Sequence, residues 1–470
     1  MYYSKMDYER IKAEIKNEDF GTLKKRIENG EYLTEIEYKA VLENTRDKRM
    51  DWFRKGRFGV IVHYGLYSVL ERGEWAIMYD SIPMKEYELL MEKFMPKPDA
   101  AEEWVLTAKE AGAKYVILTT RHHEGFSLWN SKVNPYNSYN CGCKRDLVQE
   151  FVDACRKHDM RIGLYSSLMD WYHPDAKYAQ IDLAARRRFL DYIEALNVEL
   201  LTNYGKIDML WYDTPFPMES ADAWETLHRN QKLRILQPDI IINNRAMMSE
   251  DMVTPEDVLE SADGDWEACH TVTGLNWGYI DEEQAKPYAV TPQQLVKRLT
   301  FCCRNCGNLI MNMGPKADGS VAAYEKELFQ KVGAWIRENE EVVYGDMRPN
   351  RGPGGIAGPG VFGEYGAGTL AEASAKGNTV YIWSYIWPAN GTMYVAGYKS
   401  VPKNVYLVKN KQKLDFEYDA DNFRIIIRNL PEKSPDTILG ITIIAVEFDE
   451  KPIYRWGMSL PQLTGGYIER

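Results

Sequence analysis

From Phe58 onward, short apolar, β-rich runs alternate with longer stretches whose apolar residues recur at helical spacing. The runs are FGVIVHYG from Phe58, AKYVILTTRHH from Ala113, RIGLYSS from Arg161, DMLWYDT from Asp208, DIIINNR from Asp239 and NLIMNMG from Asn308. Between them, AAEEWVLTAKEAGA repeats Trp104, Ala108 and Ala111 at helical spacing, and RDLVQEFVDACRKHD does so with Leu147, Phe151 and Ala154. This alternation predicts a parallel sheet of βα units, whose strands read as continuous apolar runs because both faces are covered. Several runs end in polar or ionisable residues: His63, His122 and His123, Asp213, and Arg245. The carboxyl ends of barrel strands form the active-site face of a (β/α)8 barrel, whereas a doubly wound open sheet binds ligands at a single switch point. Polar termini on at least four successive strands, and no G-x-G-x-x-G opening the first helix, favour the barrel.

Around Asp346 the texture changes to MRPNRGPGGIAGPGVFGEYGAG, a Gly- and Pro-rich stretch of the kind that separates domains. Beyond it, NTVYIWSYIW, TMYVAG, VYLVKN, FRIIIRNL and ITIIAVEF are short runs with turn residues between them, which predicts an antiparallel β-sandwich. The expected organisation is a charged helical extension over 1–48, a catalytic barrel over 49–346, and a linker with the sandwich over 347–470.

Composition narrows the function. The 470 residues are 45% hydrophobic and 27% charged, within the range of folded globular chains. A net charge of −11 argues against nucleic acid as a partner. The first residues, MYYSKMDYERIKAEIKNEDF, carry charges in every short window and lack the apolar stretch of a signal peptide. The apolar run Ile438 to Val446 is far short of the ~20 residues that a membrane helix needs. A cytoplasmic location is expected, with no membrane partner. The seven cysteines suit buried reduced thiols better than a disulfide framework or a zinc site. Such a zinc site would join Cys141 and Cys143 to Cys302, Cys303 and Cys306.

Asp213 closes the run Met209, Leu210, Trp211, Tyr212, where a carboxylate would be partly desolvated and rigidly held, as a nucleophile requires. A cap on the turn before Pro215 explains it equally well. Period-2 alternation puts Trp211 on the same face, an apolar surface suited to a sugar or simply an inward barrel residue. In Gly264, Asp265, Trp266, Glu267 the glutamate lies beside an indole, and desolvation there keeps a carboxylic acid protonated near neutral pH. Glu267 therefore pairs with Asp213 as a candidate acid, against the plainer reading of a surface glutamate. Neighbouring strand residues point to opposite faces, so His122 and His123 share one ligand only if the strand bends at its end. Metal ligation by His63, His122 and a carboxylate, hydrogen bonding to hydroxyls, and plain core packing all remain open for them. Glu74, Trp75, Tyr165 and Arg245 complete the polar set, with Arg245 placed to clamp a carboxylate or to sit in a fixed rim salt bridge.

Together these segments resemble the retaining α-L-fucosidases of glycoside hydrolase family twenty-nine, from about Trp52 to the C-terminus. The segments are FGVIVHYGLYSV, GEW, AAEEWVLTAKEAGAKYVILTTRHHEGFSLWNS, KRDLV, GLYSSLMDW, IDMLWYDT, INNR, WEACHTVTGLNWGY and GNLIMNMGPKADGS. The resemblance implies an irregular (β/α)8 barrel followed by a β-sandwich, and hydrolysis through a covalent fucosyl intermediate without cofactor or metal. It makes Asp213 the nucleophile and Glu267 the acid/base, with Glu74 a nearby rival for the latter role. It also implies that His63, Glu74, Trp75, His122, His123, Tyr165 and Arg245 hold the hydroxyls of the fucose ring, with Trp211 against its C5 methyl. The implied partner is a fucosylated glycan. Two departures stand out: His63, Tyr64, Gly65 replaces the usual HWG, and Thr214 with Pro215 follows the nucleophile where the family generally has Gly. A sugar-binding protein that has lost catalysis, and a metal-dependent hydrolase using His63, His122 and Asp213, are the competing functions.

Overall fold

The computed structural model describes residues 5–349, 361–362 and 371–453. Most of the Gly- and Pro-rich stretch expected to link two domains lies outside them.

Seven strands form one parallel sheet: β1 (Phe58–Val62), β2 (Tyr115–Arg121), β3 (Arg161–Ser167), β4 (Met209–Asp213), β5 (Ile241–Ile242), β6 (Glu267–His270) and β7 (Asn308–Met313). Their order is β5-β4-β3-β2-β1-β7-β6. Residues 251–257 span the gap between β5 and β6. On one side Asp251 N donates to Ile242 O and Asn244 N to Met252 O; on the other Glu267 N donates to Val253 O and Cys269 N to Pro255 O. This segment closes the ring in the place of an eighth strand. Pro255 has no N–H to give a ladder, which explains why the segment escapes both a regular strand and a sequence signal.

Alternation along the strands splits the core in two. Ile61, Tyr115, Ile117, Tyr165, Met209, Trp211, Ile241, Met252, Cys269 and Ile310 fill the barrel interior. Val60, Val62, Val116, Leu118, Leu164 and Leu210 point outward against helices such as Ala100–Glu110, Leu147–Lys157 and Leu183–Thr202.

The N-terminal residues form α1 (Lys5–Glu14), α2 (Lys24–Glu28) and α3 (Glu35–Gly56). A capping box between Thr34 and Glu37 starts α3. The helix runs unbroken through residue 48, where a boundary was expected, because Met50 and Phe53 belong to the barrel interior and floor it from the N-terminal side.

The C-terminal part holds β8 (Val361–Phe362), β9 (Ala371–Lys376), β10 (Thr379–Ser384), β11 (Met393–Ala396), β12 (Asn404–Leu407), β13 (Asp415–Asp419), β14 (Arg424–Arg428) and β15 (Thr442–Glu447). They make two four-stranded antiparallel sheets, β12-β15-β10-β9 and β13-β14-β11-β8. Val380, Ile382, Ile444 and Val446 of one sheet pack against Met393, Val395, Ile425 and Ile427 of the other, which is the expected sandwich. Its outer face meets the barrel through Trp383, whose ring centroid lies 5.5 Å from that of Trp335. No helix among the described residues is long and apolar enough to cross a membrane.

Candidate active site

The carboxyl ends of β1 to β5 bring most of the expected residues into one crater. Asp213, the last residue of β4, receives Arg245 Nη1 on Oδ1 at 2.5 Å, Thr214 N on Oδ1 at 2.8 Å and the Tyr165 hydroxyl on Oδ2 at 2.7 Å. Its side chain is 14% exposed. Burial alone would raise its pKa, but the Arg245 guanidinium, His123 and the Tyr165 hydrogen bond outweigh that and hold it below the usual carboxylate range. Asp213 is therefore an ionised, immobilised carboxylate at neutral pH. Trp211 stacks on Tyr165, with centroids 5.5 Å apart, and carries the Arg245 guanidinium over its ring at 4.4 Å.

Thr214 has φ 41°. That is the left-handed region, costly for a β-branched residue and free for the Gly usual in the family that the chain resembles. Its amide on Asp213 and its hydroxyl 3.5 Å from His123 Nε2 hold the strained turn beside the carboxylate.

The β2 ladder shifts register between Thr119 and Arg121, and Gly125 N donates to His122 O just beyond. This bend lets both rings face the crater, their centroids 4.0 Å apart. Burial pushes His63 down to about 3 and His123 to about 4, and drives His122 well below its ordinary value. All three are neutral near pH 7, and neighbours set the tautomers of His63 and His123. Asn312 Nδ2 donates to Trp277 O, which turns Oδ1 toward His63 Nδ1 at 2.7 Å, so Nδ1 carries the proton and Nε2 is free to accept. Ser167 Oγ donates to Met169 O at 2.6 Å and accepts from His123 Nδ1 at 2.7 Å, which again leaves Nε2 as the acceptor.

Glu74 is buried and accepts Trp277 N at 2.9 Å and Gly278 N at 2.7 Å on Oε2, leaving Oε1 for a ligand; burial raises its pKa. Trp75 packs edge-on to His123 and Trp171, at 5.3 and 5.0 Å. Trp277, whose ring lies 5.1 Å from that of His63, and Trp171 were not among the expected contacts. Both lie in loops with no periodicity to mark them. Glu124, behind His122, is a further residue that the sequence did not single out. It is fully buried, neither of its oxygens has a hydrogen-bond partner, and burial pushes it up to about 8.

Glu267 does not join this group. It opens β6 in register with Asn308 at the start of β7, toward the barrel floor, and is 0% exposed. One carboxylate oxygen takes the Tyr115 hydroxyl and the other Trp211 Nε1 at 3.2 Å. Burial raises it to about 7, as expected, yet the Trp211 indole lies between it and the crater. The carboxylate that reaches Asp213's partner is Glu256, on the closing segment. Its Oε2 lies 2.7 Å from Arg245 Nη2, and its side chain is 40% exposed. Arg245 thus grips a carboxylate on each amino group, while its Nε donates to Thr254 Oγ1 at 2.9 Å.

His122, His123 and Asp213 offer atoms within 4.8 Å of one another, close enough to hold a metal ion. A fixed guanidinium 2.5 Å from the Asp213 carboxylate opposes a dication there, and both Asp213 oxygens already accept hydrogen bonds, so the donor set suits a neutral polyol better than a metal.

Replacing Tyr165 by Phe removes a hydrogen bond to ionised Asp213 and should raise the pKa of that carboxyl. Activity needs the ionised form, so the acid limb of the kcat/KM pH profile should move to higher pH while the plateau stays above it.

The profile described as Alpha-L-fucosidase matches residues 27–341. Human plasma alpha-L-fucosidase is 29% identical over 391 residues, covering 74% of this chain and 79% of that protein. The rat plasma enzyme is 31% identical over 329 residues, covering 62% and 70%. Among solved structures, alpha-L-fucosidase isoenzyme 1 from Paenibacillus thiaminolyticus superposes with a TM-score of 0.75 at 28% identity, covering 86% of this chain and all of that one. A Bacteroides thetaiotaomicron alpha-L-fucosidase, solved as a trapped covalent intermediate with 2-fluoro-fucosyl fluoride, gives a TM-score of 0.73 at 26% identity over 85% and 96%.

Proposed function

The chain belongs to the alpha-L-fucosidase family, and from that premise we propose that it removes terminal α-L-fucosyl residues from glycans by double displacement, with Asp213 as nucleophile and Glu256 as acid/base. The observation that carries the reading is Arg245, which holds Asp213 at 2.5 Å and Glu256 at 2.7 Å on its two amino groups. A retaining pair stands about 5–5.5 Å apart, and a guanidinium shared by both carboxylates keeps Asp213 and Glu256 on neighbouring sides of one crater. Glu267, the acid/base that the sequence suggested, is sealed beneath Trp211 with both oxygens engaged, so leaving-group access favours Glu256.

In the first step Asp213 attacks the anomeric carbon while Glu256, off the guanidinium and in its protonated form, gives that proton to the leaving oxygen; in the second the Glu256 carboxylate takes a proton from water as the fucosyl ester breaks, which restores the acid. The Asp213 carboxylate, kept ionised by Arg245, and the hydrogen bonds to the ring hydroxyls stabilise the oxocarbenium-like transition state. His63, His122 and His123 serve as neutral hydrogen-bonding groups, Glu74 accepts from a hydroxyl on Oε1, and Trp75 and Trp211 supply apolar walls. No cofactor enters either step. A cytoplasmic setting is part of the proposal and fits Cys141 and Cys143, free thiols with sulfurs 3.3 Å apart.

Release of 4-nitrophenol from its α-L-fucoside, unchanged after exhaustive chelation, is the expected result. Fucose binding by calorimetry with no release from any fucosyl substrate would instead identify a silent sugar-binding homologue. Loss of activity on chelation would point to metal chemistry.

A further inference from the structure

Helix α3 turns three arginines toward the segment that closes the barrel. Arg46, Arg49 and Arg54 are spaced i, i+3 and i+8, which places them on one face of the helix. Arg49, 2% exposed, donates from Nε at 2.9 Å and Nη2 at 2.5 Å to Asp251 Oδ1. Arg46 donates from Nη2 to the Asp251 carbonyl at 2.8 Å and from Nε to Asp265 Oδ2 at 2.9 Å. Arg54 forms a fork on Asp265, Nε to Oδ1 at 2.8 Å and Nη2 to Oδ2 at 3.0 Å.

Asp251 and Asp265 are the two feet of the stretch that carries Glu256. They are tied to each other's strands as well, since Val253 N donates to Asp265 O at 3.1 Å. The second Asp251 oxygen accepts from Arg234 Nη2 at 2.8 Å and from Ile242 N at 2.9 Å, which anchors the same foot to β5. Between the feet, Thr254 and Glu256 both engage Arg245, so hydrogen bonds at each end and a short run of backbone between them connect α3 to the catalytic guanidinium.

We propose that α3 is a positioning element of the active site: Arg46, Arg49 and Arg54 fix the height and register of residues 251–257, and with them the placement of Glu256 against Arg245 and Asp213. None of the three touches the substrate crater. The inference rests on Glu256 being the acid/base. A plug that only fills the barrel floor needs the apolar side chains of α3, Met50 and Phe53, but not a set of arginines addressed to both ends of one loop. Pro255 leaves one gap in the backbone ladder that joins this segment to β6, and the side-chain anchors at its ends reinforce the register that the remaining bonds set.

Arg49 is fully buried against Asp251, so its removal endangers folding. The test therefore uses Arg46→Gln with Arg54→Gln in the full chain, where the side chains are 28% and 31% exposed. Two substrates separate positioning from general damage: methyl α-L-fucoside, whose leaving group needs a proton, and α-L-fucosyl fluoride, whose leaving group needs none. The double variant should lose about tenfold or more in kcat/KM on the methyl fucoside, since small misplacements of a catalytic group are costly, and stay within about twofold on the fluoride. Arg54→Lys in the Arg46→Gln background should recover part of the loss. Equal losses on both substrates, or a lowered Tm with no change on either, would overturn the proposal and leave α3 a plug. Should Glu256→Ala itself fail to discriminate between the two substrates, the acid/base assignment fails first, and the role of α3 falls with it for a separate and visible reason.

Discussion

Asp213→Gly should abolish turnover of 4-nitrophenyl α-L-fucoside, with kcat falling by on the order of 10⁴ or more, as when one member of a catalytic unit is deleted. The carboxylate is held ionised by Arg245 and Tyr165 and has no ready substitute: the histidines are neutral, and Glu74 is fixed in place by two backbone amides on Oε2. Glycine leaves a space the size of the lost side chain, and sodium azide should enter it and attack the anomeric carbon directly. The product is then β-L-fucosyl azide, inverted relative to the substrate, identified by the anomeric coupling in its proton spectrum. Turnover that survives the substitution, or azide that rescues nothing in a folded variant, would remove Asp213 from the mechanism.

The second large effect concerns Glu256. Glu256→Ala should cost about 10²- to 10⁴-fold in kcat/KM on fucosyl disaccharides and on methyl α-L-fucoside, the range for loss of a general acid, and much less on fucosyl fluoride. Here azide intercepts the covalent intermediate without needing a base, so the product is α-L-fucosyl azide, with the configuration retained. Glu267→Gln is the control. It keeps the shape of a group that accepts hydrogen bonds from Tyr115 and Trp211, so whatever it costs should fall equally on all leaving groups. A leaving-group dependence in Glu267→Gln, and none in Glu256→Ala, would reverse the assignment.

The contrast between these two glutamates shows where sequence reasoning reaches its limit. An indole beside Glu267 correctly signalled desolvation, and burial does raise the carboxyl to about 7. The same pattern could not show that alternation turns Trp266 outward, its Nε1 toward Asn305 O, and drives Glu267 inward to the barrel floor. Desolvation enough to shift a pKa is one condition, and access to a leaving group is another. Glu256 left no trace, because DMVTPEDV has neither period nor complete backbone donors. The six strands named from sequence were readable because their apolar runs are covered on both faces. β9 and β13 were not: AEASAK and DFEYD offer almost no β-branched residues, and it is their neighbours in the sheets that make them strands. The histidine pair was legible in kind but not in geometry, since the register shift that aims both rings is a property of the pairing with β3.

The arginine contacts of α3 span 202 to 219 residues of chain. A ribosome working at about 5–20 residues per second therefore exposes the helix roughly 10–40 s before Asp251 and Asp265 emerge. During that interval α3 has arginines without their aspartate partners from the closing segment, and an apolar tip with no barrel to enter. Helix α3 is thus completed late. Nascent chains halted before residue 251 should accordingly be sensitive to protease throughout their first sixty residues, however well the early βα units have formed.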